Sequence, residues 1–180
     1  MVVFDANFLI FFLDPKLKAG AGNNVRVDHL VETLDKNRDR IIVPTPALSE
    51  LLVGAKDAAP TYLDTINRSR FFRIEPFGER AAVEAAAMTR DAIIRGDKLS
   101  PAKDASWAKV KFDRQIVAIA RVAGAQTIYS QDEDVARHAK EVGIKVLRVE
   151  DLPDPPNQPQ IEMKLDPPEP PPPEEPADDE

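Results

Sequence analysis

The 180-residue chain contains no cysteine. Disulfides and thiolate metal sites are therefore excluded, and a reducing compartment fits. No apolar run approaches the roughly 20 residues that a membrane-spanning helix needs. The N-terminus has no basic run ahead of an apolar segment, so no signal peptide is read there. The expected location is the cytoplasm, with no membrane as partner. No internal repeat is present. Histidine is scarce: His29 and His138 are the only two, and both read as surface positions of helices. A strongly basic balance of the kind that advertises nucleic-acid binding is also missing.

The formal net charge of −7 is unevenly spread. Residues 153–180 hold nine acids, one lysine and 11 of the 17 prolines, which leaves residues 1–152 with 23 basic and 22 acidic side chains. Beyond Ile161, Met163 and Leu165 this tail has almost nothing apolar to bury. It cannot offset the entropy of ordering, and disorder with polyproline II character around 167–173 is expected. The sequence thus divides into one domain, 1–152, and an acidic Pro-rich tail, 153–180. The tail reads as solubilising.

Within the domain, short continuous apolar runs alternate with segments of helical period. Val2-Val3-Phe4 ends at Asp5 and leads into a helix over Asn7 to Leu13, with the polar pair Asp5/Asn7 at the cap. A loop is read at 14–24, then a helix over 26–39. Ile41-Ile42-Val43-Pro44 reads as the second strand, followed by a helix capped by Thr45 with Pro46 in its first turn. A helix over about 60–70 precedes a third strand, 71–74. An alanine-rich helix runs from Glu79 to about Arg95. The stretch 98–111, with four lysines and Trp107, reads as a loop or an irregular helix. Asp113 opens the next helix, Gly124 ends it, and Thr127-Ile128-Tyr129 forms strand four. A helix from Asp132 to about Val142 and a fifth strand, 145–149, complete the domain. The alternation predicts an α/β fold: a parallel sheet of about five strands with helices on both faces.

Four places put a carboxylate against an apolar segment. Asp5 follows strand one, Glu50 sits among leucines after strand two, Asp113 opens the helix before strand four, and Asp132 and Asp134 follow strand four. Strand ends and the starts of the helices after them share the C-terminal edge of such a sheet, where open α/β folds bind ligands. With strands one and four adjacent, three of these acids converge. Two like charges about 4 Å apart cost roughly 4 kcal/mol at an effective dielectric of 20. A cluster of this kind holds protons with raised pKa values or holds a divalent cation. Oxygen-only ligands favour Mg²⁺ or Mn²⁺ over Zn²⁺.

Four blocks in order, Val3-Phe4-Asp5-Ala6-Asn7, Ser49-Glu50-Leu51-Leu52-Val53-Gly54, Phe112-Asp113-Arg114-Gln115-Ile116-Val117-Ala118-Ile119-Ala120 and Ser130-Gln131-Asp132-Glu133-Asp134, resemble the PIN-domain ribonucleases. This family includes the VapC-type toxins of bacterial toxin–antitoxin pairs. The resemblance covers about 1–150. It implies a PIN-like three-layer fold and a metal-dependent endoribonuclease that leaves a 5′-phosphate and a 3′-hydroxyl. By the same resemblance Asp5, Glu50 and Asp113 are the core acids of a Mg²⁺ or Mn²⁺ site, and Asp132 or Asp134 is the fourth. Asn7 and Ser130 are the polar neighbours that orient an acid or a metal-bound water.

The implied partners are RNA, a small antitoxin protein that occludes the site, and a second copy of the chain. Ala6 departs from the Thr or Ser often found after the first acid, and Val135 from the usual Phe after the last. Neither removes a carboxylate. Lys111, Arg114 and the other lysines of 98–111 are candidate contacts to RNA phosphates, with Trp107 as a stacking platform. HAD-like phosphatases also place an acid after strand one, but use a second Asp where this chain has Asn7. The remaining alternative is a non-catalytic PIN-like module that binds RNA or protein without cutting.

Overall fold

Each short apolar run forms a strand, and all the strand pairings are parallel. The computed structural model describes residues 1–14, 16, 22–97 and 106–155. In chain order these form β1 (Val2–Phe4), α1 (Ala6–Leu13), α2 (Gly22–Lys36), β2 (Ile41–Pro44), α3 (Thr45–Ala55), α4 (Ala59–Arg68), β3 (Phe72–Glu75), α5 (Glu79–Ile94), α6 (Trp107–Val122), β4 (Thr127–Tyr129), α7 (Glu133–Glu141) and β5 (Lys145–Leu147). Single 3₁₀ turns occupy Lys56–Ala58 and Val149–Asp151. No described helix is long and apolar enough to cross a membrane.

The strand order is β3-β2-β1-β4-β5. β1 therefore lies at the centre, paired with β2 through Val3↔Ile42 and with β4 through Val3↔Ile128. The chain winds outward from β1 in both directions, so the β1/β4 junction is the topological switch point. Successive side chains of a strand face opposite ways, and each face is covered. Val2, Phe4, Ile41, Val43 and Tyr129 pack with Phe8, Leu9, Val27, Leu51 and Ile66 from α1 to α4. Val3, Ile42 and Ile128 pack with Met88, Ile116, Val117, Ile119 and Ala139 from α5 to α7. Phe4 and Phe8, with ring centroids 5.6 Å apart, and Phe4 and Tyr129, 5.4 Å apart, fix α1 against the centre of the sheet. Each fully buried side chain of this size contributes about 1.5–3 kcal/mol by leaving water.

Several boundaries differ from the sequence expectation. α2 begins at Gly22 rather than 26, because burial of Val27, Val31 and Leu34 outweighs the modest propensity cost of Gly and Asn. It ends at Lys36 rather than 39. Arg38 adopts a positive φ of 57°, and Asp39 N–H closes back onto Leu34 C=O at 2.8 Å. Thr45 does not cap α3; it is the first helical residue, and its Oγ1 accepts the Phe77 N–H at 3.1 Å. β5 stops at Leu147, because Asp151 Oδ2 draws the Arg148 N–H into a 3₁₀ turn at 2.9 Å.

Residues 98–105 lie outside the described residues; of the two readings of 98–111, the helical one holds for 107–111, which is regular α-helix continuous with the segment after Asp113. Ser106 Oγ accepts the Lys109 N–H at 3.2 Å and caps α6. Asp113 therefore stands in the second turn and caps nothing. Of the tail, 156–180 lies outside the described residues. Leu152 is buried, and Asp154 pairs with Arg26 at 2.7 Å.

Candidate metal centre at the switch point

Asp5 occupies the point where β1 leaves the sheet. Its N–H donates to Tyr129 C=O at 3.1 Å, the last rung of the β1/β4 ladder. Its Oδ1 accepts the Ala6 N–H at 2.7 Å and caps α1. Its Oδ2 accepts from Ser130 Oγ at 2.6 Å. The residue is only 4% exposed. Burial raises its pKa, the Asp132 charge adds to the rise, and the bonds from Ser130 and Ala6 oppose it.

Ser130 follows β4 directly and is fully buried. Its Oγ also accepts the Asp132 N–H at 3.0 Å, so one hydroxyl joins the two strand ends. Asn7 Oδ1 accepts the Gln131 N–H at 3.3 Å and holds the same turn against α1.

Asp132 caps α7: its Oδ1 accepts from Asp134 N–H at 2.8 Å and Val135 N–H at 3.4 Å. That leaves Oδ2 for the cavity. Asp113 approaches from α6 and is 6% exposed. One oxygen from each of Asp113, Asp132 and Asp134 lies within 4.8 Å of the others. Lys109 Nζ stands among them, 2.8 Å from Asp132 Oδ2, 3.1 Å from Asp113 Oδ2 and 3.3 Å from Asp134 Oδ2. Asp134 also pairs through Oδ1 with Arg137 at 3.2 Å.

Burial lifts the Asp113 carboxyl to about 6; Lys109 opposes this, and the Asp132 and Asp134 charges reinforce it. Glu50 projects from α3 at the solvent-exposed rim. Loss of water around its carboxyl, then the charges of Asp5 and Asp132, raise its pKa. Asp5, Asn7, Glu50, Lys109, Asp113 and Asp132 line one cavity of about 430 Å³. Phe112, 52% exposed, and Val53, 78% exposed, give it an apolar lip.

The donor set fits a hard divalent cation. Every candidate ligand is a carboxylate oxygen, the matching chemistry for Mg²⁺ or Mn²⁺. A monovalent cation, the Lys109 ammonium, already occupies the point where three of them converge.

Two expectations about the surroundings are corrected. Arg114 is 2% exposed, with its guanidinium 5.8 Å from the centroid of the half-buried Trp107 ring. It lies one residue past Asp113 on α6 and turns inward, so it does not present a phosphate contact. Lys111 remains exposed. His138 is 1% exposed rather than a surface residue. Burial, then the charges of Arg114 and Arg137, hold its pKa down to about 4. Arg137 Nη2 lies 3.4 Å from His138 Nε2, and a guanidinium only donates, so Nε2 is the acceptor of a neutral ring.

The sequence marks Lys109 only as one of the candidate phosphate contacts of 98–111 and does not show its position among the acids. The four-residue spacing from Lys109 to Asp113 carries that signal once Ser106 is recognised as a cap.

The family model described as PIN domain matches residues 2–141. No curated protein matches in sequence. Among solved structures, the chain is similar to a chain of VapBC2 from Rickettsia felis bound to a DNA fragment from its promoter. That likeness has a TM-score of 0.58 and 16% identity, and covers 82% of this chain and 98% of that one. It is also similar to a chain of DNA-bound VapBC from Salmonella typhimurium, with a TM-score of 0.54 and 18% identity over 82% of this chain and 97% of that one.

Proposed function

The chain belongs to the PIN domain family, and from that premise we propose that it is a metal-dependent endoribonuclease, the toxin of a VapBC-like toxin–antitoxin pair. The observation that carries the reading is the convergence of Asp5, Glu50, Asp113 and Asp132 on one cavity at the switch point, with Asp134 beside them. Membership of a family with many ribonucleases supports the reaction class. Two neighbours of the same fold that are VapBC complexes support an antitoxin as partner.

Asp5, Glu50, Asp113 and Asp132 or Asp134 would hold Mg²⁺ or Mn²⁺. When bound, such an ion neutralises charge on a phosphodiester and lowers the pKa of water. The protein's own contributions are separable. Ser130 Oγ–H and Ala6 N–H fix both oxygens of Asp5 and favour its ionised form despite burial. Asp132 is held in one orientation by the α7 amides. Glu50, at the exposed rim of the cavity, completes the ligand set from α3. Phe112 and Val53 offer an apolar surface on which a base next to the scissile phosphate can rest, and Lys111 lies one helical step away for the backbone.

The test is cleavage of a mixed RNA pool with Mn²⁺ or Mg²⁺, with EDTA, and with Asp5→Asn in parallel. Metal-dependent cutting that Asp5→Asn abolishes is expected. RNA that is bound equally well in EDTA and never shortened would instead identify a binding module.

A further inference from the structure

We propose that Lys109 is a tethered competitor of the divalent cation: its ammonium fills the acid cluster, and a metal ion binds there by displacing it. The inference rests on the metal-site reading above and assigns a role to a side chain which that reading leaves unused.

Lys109 Nζ touches Oδ2 of Asp132, Asp113 and Asp134 at 2.8, 3.1 and 3.3 Å, and the cluster's oxygens lie within 4.8 Å of one another. A magnesium ion sits about 2.1 Å from each ligand oxygen. Ion and ammonium cannot share these three oxygens without bringing like charges within a few ångströms of each other.

The helix itself gives Lys109 no reason to stay. It is the third residue of α6, in the first turn, where the helix dipole disfavours a cation. Its pairing with Asp113 runs lysine-first, the weaker order for a four-residue pair. The acids hold it. A way out is also present, because the side chain is 44% exposed on a flexible four-carbon stem. Displacement needs only rotamer changes.

Two consequences follow. The ammonium offsets part of the cluster's negative charge when no ion is bound. Metal affinity is reduced by the fraction of time the site is free of the ammonium. A Lys109 seated nine-tenths of the time weakens binding about ten-fold.

The test is Mn²⁺ titration calorimetry on the full-length wild type and Lys109→Met, with far-UV circular dichroism to establish that both are folded without metal. Lys109→Met is expected to bind Mn²⁺ about ten-fold more tightly. A crystal structure of the Mn²⁺-loaded wild type tests the displacement without any variant. Nζ is expected beyond hydrogen-bonding distance of Asp113 and Asp132. Equal affinities, or a loaded site with Nζ still on those carboxylates, would overturn the proposal alone. If neither protein binds Mn²⁺, the metal-site reading falls and this proposal falls with it.

Discussion

Ser130 Oγ donates to Asp5 Oδ2 at 2.6 Å across a separation of 125 residues. The same oxygen accepts the Asp132 N–H, so the central strand and its neighbour end on a shared hydroxyl. Ser130→Ala removes one of the two bonds that favour the ionised form of a buried carboxylate. A charged hydrogen bond of this kind is worth about 1.5–3 kcal/mol. The variant is expected to lose that much stability at pH 7, read as a lower urea midpoint, and to bind Mn²⁺ more weakly as the Asp5 pKa rises further. An unchanged midpoint would mean that the bond contributes nothing net.

The strand-end acids are legible in the sequence for a physical reason. Asp5 directly follows the apolar run Val2-Val3-Phe4, and Asp132 comes three residues after the short strand Thr127-Ile128-Tyr129; parallel strands buried on both faces are written as such short, largely apolar runs. Glu50 is marked by Leu48, Leu51 and Leu52. What is not legible arises from long-range packing. Nothing local says that Arg114 and His138 turn into the core, because a buried Arg or His looks in sequence like an exposed one. The α6 start is hidden because Ser106 follows a run of mixed composition, and without that cap Lys109 has no helical register to Asp113.

Asp113 and His138 drive stability in opposite directions with pH. The Asp113 carboxyl is held up at about 6, so below that value the folded state binds more protons than the unfolded chain. Its contribution to stability therefore falls as pH rises from about 4 to 6. Asp113→Asn is expected to flatten this component of the metal-free stability profile. Because a ligand must be deprotonated, Mn²⁺ affinity of the wild type is expected to drop as pH is lowered through 6. Titration calorimetry at pH 7.5, 6.5 and 5.5 checks this, and a pH-independent affinity would contradict it.

His138 is neutral in the fold, with its pKa depressed to about 4. The unfolded chain protonates near 6.5, so the stability from the buried neutral ring is fully present above that value. It is lost as pH falls from 6.5 towards 4. The shift sets an upper bound of about 3 kcal/mol on the effect. Urea denaturation of wild type and His138→Gln across pH 4–7 is expected to show the wild type losing its advantage on the acid side. Parallel curves would place the imidazole in water rather than in the core.

Arg114 and Lys111 are near neighbours on α6 but face different media, and that separates their roles. Arg114 is buried against Trp107, so truncation removes packing and leaves its neighbours exposed to a void. Arg114→Ala is expected to cost about 2–4 kcal/mol, a large-to-small loss in a core. Lys111 projects into solvent, and Lys111→Ala is expected to leave the melting temperature within about a degree. Its effect should appear in RNA binding, measured in EDTA so that no cleavage intervenes. Each lost phosphate contact lowers the slope of log affinity against log salt by about 0.7 for a single strand. A Lys111→Ala variant with wild-type affinity and slope would remove this face of α6 from the RNA path. An Arg114→Ala variant that keeps full stability but loses RNA binding would restore the phosphate contact that its burial argues against.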